Sequence, residues 1–393
     1  MVFQMFRADK PAPEEQKASA TAPVVAFHGT GRAAWSPRDT ASLIRNGFAG
    51  NPVGFRCAKM IAEAAAAVPF VLQDAERRYE LHPVLSLLQK PNEIDGTASF
   101  LESAFGSLLL TGDAYLEAAG LNIDKGGPEQ LYVLRADRMR VVPGADGWPV
   151  AYEYSVGSKK VRFDMRQELP PILHIKAFHP LDDHYGMSPL QSAAPAVDVH
   201  NAASRWSKAL LDNAARPSGA IVYKGNDGAG SIGNDQYTRL VEELETHHVG
   251  ARNAGRPMLL EGGLDWKPMG FSPSDMEFQK TKESAAREIA LAFGVPLMML
   301  GLPGDNTYSN YQEANRAFYR LTVLPMVSKV MASLSGWLNV WTGAEVTLKP
   351  DLDNIPALAG ERDAQWARVA GADFLNTAEK RSLLGLPVIA EDE

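Results

Sequence analysis

The chain has 393 residues, enough for about two or three domains, and its 45% apolar and 22% charged content is that of a globular protein. A net charge of −8 argues against a tight nucleic-acid binder, which carries a basic face, but suits a surface past which DNA slides without sticking. Cys57 is the only cysteine, so no intrachain disulfide exists, and a reducing compartment fits; no apolar run approaches the ~20 residues of a membrane span, and no signal peptide is read at the start.

Residues 1–51 are rich in Ala, Pro, Ser and Gly and read as a disordered or docking N-terminal arm. Pro52 to Ala67 reads as a helix stopped by Pro69, Phe70 to Leu72 as a strand, and Pro83 to Gln89 as a short helix. Thr97 to Leu110 places Phe100, Leu101, Phe105, Leu108 and Leu109 on one apolar side, and Gly112-Asp113 turns into a strand over 114–119. Residues 130–178 change to period two, with turns at Gly144–Gly147 and Gly157–Lys160. An antiparallel meander finished by a strand over 172–177 is expected, and grouped helices then strands make 52–187 an α+β domain.

Ser188-Pro189 opens a long helix, Ser as its cap and Pro in its first turn, with Leu190, Ala194, Val197, Trp206 and Leu210 on the apolar side and a stop at Arg216-Pro217. A small unit follows: a strand over 220–224, a glycine-rich loop, a helix over 236–248, and strands over 258–261 and 265–269. Ser274 and Glu277 then form a capping box, and Phe278, Ala285, Ile289 and Phe293 mark the buried face of the next helix, which Gly294 and Pro296 end. The loop Gly301–Tyr308 is full of turn residues and has no cation. A longer helix restarts at Ser309 or Asn310, and Ala314, Phe318, Leu321, Leu334, Leu338 and Trp341 hold its apolar face through a kink at Pro325. Residues 345–349 are strand-like, and 361–384 make two short helices, the second capped by Asn376 with Glu379 three residues on.

Chemistry-bearing motifs are few. Gly228-Ala-Gly230-Ser-Ile-Gly233 matches the spacing of a dinucleotide fingerprint and is the basis of an alternative reading as a nucleotide-binding enzyme. Its turn is not tight, and Gly233 precedes the helix cap instead of packing inside the helix, so a flexible loop is preferred. His174, His179, Asp182, Asp183 and His184 form the only local cluster with metal-ligand chemistry, but they lie on a strand end and loop without helical i, i+4 spacing. No catalytic residue, metal ligand or cofactor is assigned.

An ordered set of short stretches spans nearly all of the rest: His82-Pro-Val-Leu-Ser-Leu-Leu-Gln-Lys-Pro-Asn92, Leu110-Thr-Gly-Asp-Ala-Tyr115, Ile172–Ile175, Tyr185-Gly-Met-Ser-Pro-Leu190, Asn253–Leu260, Glu288-Ile-Ala-Leu-Ala-Phe-Gly-Val-Pro296, Thr307–Asn310, Leu324-Pro325 and Asn376–Arg381. Each is weak alone; in this order over about 55–385 they resemble the portal proteins of tailed bacteriophages, of the long-tailed phage and prophage type, and also the portal of gene transfer agents, which are domesticated phage particles. Asp113 stands where that family often has asparagine.

The resemblance implies a non-enzymatic ring of about twelve subunits at one capsid vertex, closed by heterologous contacts, through which double-stranded DNA passes. It implies a wing (52–187), stem helices (188–216 and 274–295), a clip (217–273), a tunnel loop (296–310), a wing helix and strand (311–350) and a crown with C-terminal tail (351–393). The implied partners are further copies of the chain, the terminase large subunit, the head–tail adaptor, the major capsid protein and DNA. Asp305, Asn306, Thr307, Tyr308 and Ser309 are the expected DNA-facing residues, and Gly294 and Pro296 the loop hinge.

Overall fold

The computed structural model describes residues 35–122, 127–212, 219–223, 235, 238–242, 264–268, 278–302 and 308–387. The chain divides into two compact units, the larger holding Trp35–Lys208 and Pro273–Glu393, the smaller Ala209–Ser272.

The larger unit begins inside what the composition marks as an arm. Asp39 caps α1 (Thr40–Leu43) by accepting from the Ser42 N–H at 3.0 Å, and a π-helical turn follows over Ile44–Ala49. Leu43 joins the core, Gly47 lies so close to Leu190 that a Cβ would stand 2.3 Å from its Cδ1, and Ser36 bonds Asp198 through its backbone N–H at 2.9 Å. Residues 35–51 are therefore folded, a correction to the expected arm. Their apolar side chains are too few and too widely spaced to announce a helix; packing supplies what periodicity does not.

Asn51 starts α2 (Pro52–Ala66), its Oδ1 accepting from Val53 and Gly54, and Pro52 needs no donor at that place. After β1 (Phe70–Gln73), β2 (Arg78–Tyr79) and α3 (Pro83–Gln89), α4 (Thr97–Thr111) packs across α2. Cys57, Ile61 and Ala65 meet Phe100, Ala104 and Phe105 in the main core. Gly112 ends α4 in the left-handed region at φ 84°.

The strands β3 (Asp113–Asn122), β4 (Gly127–Leu134), β5 (Met139–Pro143), β6 (Pro149–Val156), β7 (Lys159–Asp164) and β8 (Ile172–Lys176) form two antiparallel sheets, ordered β4-β3-β8 and β5-β6-β7. The meander is thus three strands. The final strand leaves it for β3, with Asp113 opposite Lys176 and Glu117 opposite Ile172. Alternation marks a strand but not its partner. β3 is buried on both faces, Ala114 and Leu116 toward the main core and Tyr115 toward a small core with Met139, Val141, Tyr152 and Ile172, and as a central strand it satisfies its backbone groups with β4 on one edge and β8 on the other.

Ser188 caps α5 (Pro189–Asp212), its Oγ accepting from Gln191 at 3.1 Å, and Leu190, Ala193, Ala194 and Val197 are buried. In the smaller unit, β9 (Gly219–Tyr223) and β10 (Leu264–Pro268) pair antiparallel from Tyr223↔Leu264 to Gly219↔Pro268. The glycine loop 228–233, the strand expected over 258–261 and the Ser274–Glu277 box lie outside the described residues.

Helix α6 (Phe278–Phe293) buries Ala285, Ala286, Ile289, Ala290 and Phe293, the face its spacing marks. Its first residue, Phe278, stacks on Trp206 of α5 with ring centroids 3.9 Å apart. After the connection come α7 (Tyr308–Phe318), a π-helical turn over Tyr319–Val323 and α8 (Leu324–Thr342). Here the sequence reading is corrected: Leu321 is 69% exposed, while Val323, Val327, Val330, Met331, Leu334 and Leu338 are fully buried. Pro325 has no N–H for the carbonyl four residues back, and the wider turn, closed by Leu324 N–H to the Tyr319 carbonyl, absorbs that loss ahead of the proline. By length and composition Asn310–Thr342 is apolar enough to cross a membrane, which the sequence reading did not register; its apolar face is spent on the core.

The closing strand β11 (Thr347–Pro350) pairs with β1, stitching the end of α8 to residues 70–73. Beyond it, Arg362 of α9 (Ala359–Ala370) reaches Asp353 at 2.6 Å. Asn376 and Glu379 close a complete capping box on α10 (Thr377–Leu383), as their spacing predicts.

Candidate functional site

The stretch expected to meet DNA is the connection between α6 and α7. Helix α6 ends in a Schellman motif: the Gly294 N–H donates to the Leu291 carbonyl at 3.0 Å, and the Val295 N–H to the Ala290 carbonyl at 2.9 Å. Gly294 sits at φ 69°, which a side chain would strain, and an added Cβ would lie 2.9 Å from the Thr322 Oγ1. That hydroxyl donates to the Gly294 carbonyl at 2.7 Å.

Val295 is buried in the main core, and Pro296 is extended. A 3₁₀ turn over Leu297–Leu300 then lays Leu297, Met299 and Leu300 against that core before Gly301 ends it at φ 68°. The two expected hinge residues thus occupy a root packed against the core, and the described stretch ends at Gly301-Leu302, which carry no charge. Asp305, Asn306 and Thr307 lie outside the described residues; Tyr308 and Ser309 open α7, their side chains outside the description.

The exposed face of α6 mixes signs. Lys280, Lys282, Arg287 and Glu288 all face outward, and Gln279 donates to Glu283 at 3.0 Å, so the helix offers no single-sign strip on which a polyanion would lodge.

A second constellation fixes how α5 enters. Two stretches widely separated in sequence, Leu110–Tyr115 and Tyr185–Leu190, meet face to face. A Cβ on Gly186 would stand 2.0 Å from the Gly112 carbonyl oxygen, so the backbones touch where only glycines fit. Asp113 Oδ1 accepts from the Gly186 N–H at 2.8 Å and lies 2.8 Å from His174 Nε2. The His174 ring stacks on Tyr115 at 4.2 Å and reaches the Tyr152 hydroxyl through Nδ1 at 3.2 Å, while burial pushes the Tyr152 phenol up to about 12. The Tyr185 hydroxyl accepts from the Val141 N–H at 3.0 Å. One buried polar knot therefore joins α4, both sheets and the start of α5.

This disperses the metal-like cluster. His174 belongs to the knot; His179 and Asp182 accept from backbone N–H groups of their own loop. Among the described residues no group of three His, Cys, Asp or Glu is placed to hold a metal.

Asn92 forms another junction: its amide donates to the Leu131 carbonyl at 2.9 Å, and its oxygen accepts from Ile94 and Asp95. The roles of Asp113, Gly186, Asn92 and Thr322 escape periodicity, because each makes a bond to a residue distant in sequence. Gly186 and Asn92 do fall inside stretches that carry the resemblance.

A helical body with small antiparallel sheets, two helices joined through a cation-free loop whose root is packed into the core, and a separate unit with its own two-stranded sheet define a structural class of subunit. Residues 52–385 match the model of the phage portal protein family, and the chain belongs to that family. Its function is accordingly that of a portal at the capsid vertex.

A chain in the neck of a native GTA particle, solved with C12 symmetry, is 64% identical, with 92% of this chain and 97% of that chain covered and a TM-score of 0.69. An uncharacterized protein of Rickettsia bellii is 39% identical over 87% of this chain and 88% of its own length. The portal protein of Enterobacteria phage HK97 is 26% identical over 72% of this chain and 66% of its own. The family is structural in character.

Proposed function

We propose that about twelve copies close into a ring in the neck of a gene-transfer-agent particle, and that double-stranded DNA is packaged and later ejected through its centre. The observation that carries this is the 64% identity, over nearly the whole of both chains, to a chain of a GTA neck with C12 symmetry.

Residues 52–187 and 311–350 form the wing; their shared core and the β1–β11 pairing support treating them as one body. α5 and α6 are the stem, and residues 217–273 the clip, which docks the terminase large subunit and later the head–tail adaptor. The separate compact unit around β9 and β10 supports that division. Residues 296–310 are the tunnel loop, and 351–393 the crown, with the major capsid protein as a further partner. The Asp305–Ser309 tips meet DNA without a cation to trap phosphates.

Electron microscopy of the purified full chain tests the ring: closed rings with a central hole are expected, and a population of single subunits under assembly conditions would overturn it. A reconstruction should place Asn306, Thr307 and Tyr308 at the narrowest part of the bore; side chains pointing away from the axis would refute their role. Deleting 225–233 should spare the ring and weaken motor or adaptor docking.

A further inference from the structure

Two apolar features stand at opposite ends of β3, and neither is covered among the described residues. At one end, where Asp113 pairs with Lys176, the chain leaves β8 into a loop whose tip exposes Phe178 to 83% and Leu181 to 91%, with the exposed Pro180 between them. The tip is braced. His179 Nδ1 accepts from the Leu181 N–H at 3.1 Å, Asp182 Oδ1 accepts from the His184 and Tyr185 N–H groups at 2.8 and 3.0 Å, and the Lys176 ammonium donates to the Asp183 carbonyl. Large apolar side chains on a pre-ordered support are poor solvent-exposed decoration and good anchors, because little entropy is lost when they dock.

At the other end, where Asn122 pairs with Gly127, a cleft of about 790 Å³ opens beside α3. Leu81, Pro83, Val84, Leu87, Pro128 and Thr342 supply its apolar lining, and Lys90 and Glu129 its charges. Leu81 is 90% exposed there. Nine residues of extended strand separate the two ends, about 30 Å, so the finger does not reach its own cleft.

A cyclic ring built from one kind of contact needs two different, complementary patches on each subunit. We infer that the Phe178–Leu181 finger of one copy seats in the cleft beside α3 of the next copy round the ring, with the cleft's Lys90 facing the finger's Asp182–Asp183 edge. This rests on the ring reading above. The finger is the anchor of a larger contact, since a stable interface buries about 800 Å² per partner.

Disulfide trapping of the full chain tests it. Cys57 is buried with its thiol pushed up to about 12, so it stays silent under mild oxidation. A variant carrying both Phe178→Cys and Leu81→Cys should give a ladder of covalent oligomers up to the ring size, and each single variant should give none beyond dimer. Separately, Phe178→Glu with Leu181→Asp should lower the ring fraction at least tenfold while leaving the subunit's unfolding midpoint unchanged, both sites being exposed. Rings that form from the double-cysteine variant without a ladder, or that persist in the charged variant, overturn the finger contact and leave the ring standing. A parent chain that forms no ring overturns both.

Discussion

Asp113 Oδ1 accepts a 2.8 Å hydrogen bond from the Gly186 N–H and lies 2.8 Å from His174 Nε2, so one carboxylate oxygen ties the end of α4 to the run-up of α5. An asparagine presents the same oxygen. Asp113→Asn should keep both bonds and cost less than about 1 kcal/mol, whereas Asp113→Ala leaves buried donors unmet and should cost about 2–4 kcal/mol. Denaturant unfolding of the two variants checks the difference.

The Gly294–Thr322 pair makes a similar claim for the loop root. Gly294→Ala forces a side chain into the left-handed region and against the Thr322 hydroxyl, at a cost of about 1–3 kcal/mol. Thr322→Ala alone removes one hydrogen bond, about 1 kcal/mol. Because the second change also relieves the clash created by the first, the double variant should lose less than the sum, a coupling that a double-mutant cycle reads directly.

His200 gives the fold a pH dependence. It is buried on α5, where the Asn51 amide stands 3.2 Å from its Nδ1; desolvation first, and the Lys282 charge second, hold its pKa below the usual histidine value, against a smaller opposite pull from Asn201. The unfolded chain therefore binds more protons than the folded one between the folded pKa and about 6.5. Stability should be complete above about pH 7 and decline as pH falls through 6.5 toward the lower folded value. His200→Gln should flatten that part of a midpoint-against-pH curve; an unchanged slope would remove His200 as its source.

If the connection after Leu302 lets DNA slide, adding positive charge there should act on passage and not on assembly. Asn306→Lys with Thr307→Lys should give rings in normal yield but at least a tenfold drop in DNA-filled particles. Normal filling by this variant would show that the loop's lack of cations is immaterial.

The helices were legible because their signals are local. Asn376 and Glu379 meet within one turn, Ser188 caps the helix that Pro189 opens, and the Phe278-to-Phe293 spacing marks the buried face of α6. What stayed hidden depends on distance. Nothing in Ile172–Lys176 says that it pairs with β3 and not with the strand before it. Thr322 finds Gly294 only because α6 and the turn before α8 are neighbours in space, 28 residues apart in sequence. The Leu321 error has a different origin: an assumed 3.6-residue period was carried across a turn that does not keep it. Of the candidate site, the break between α6 and α7 at Gly294 and Pro296 could be read, though as a hinge; the packing of Val295 and the Leu297–Leu300 turn into the core could not.

That wide turn also sets a geometric key. An additional residue advances an α-helix by about 100°, so the halves of the rod before and after Tyr319–Val323 present differently oriented sides to their surroundings. Upstream, Arg316 reaches Glu361 at 3.6 Å, and Arg320 within the turn reaches the same carboxylate at 3.5 Å; downstream, Val327, Val330, Met331, Leu334 and Leu338 sink into the main core. The rod is continuous yet angularly offset. Removing a single amino acid from this turn would swivel one half out of its bed, so torsion as well as side-chain chemistry fixes the length of this segment.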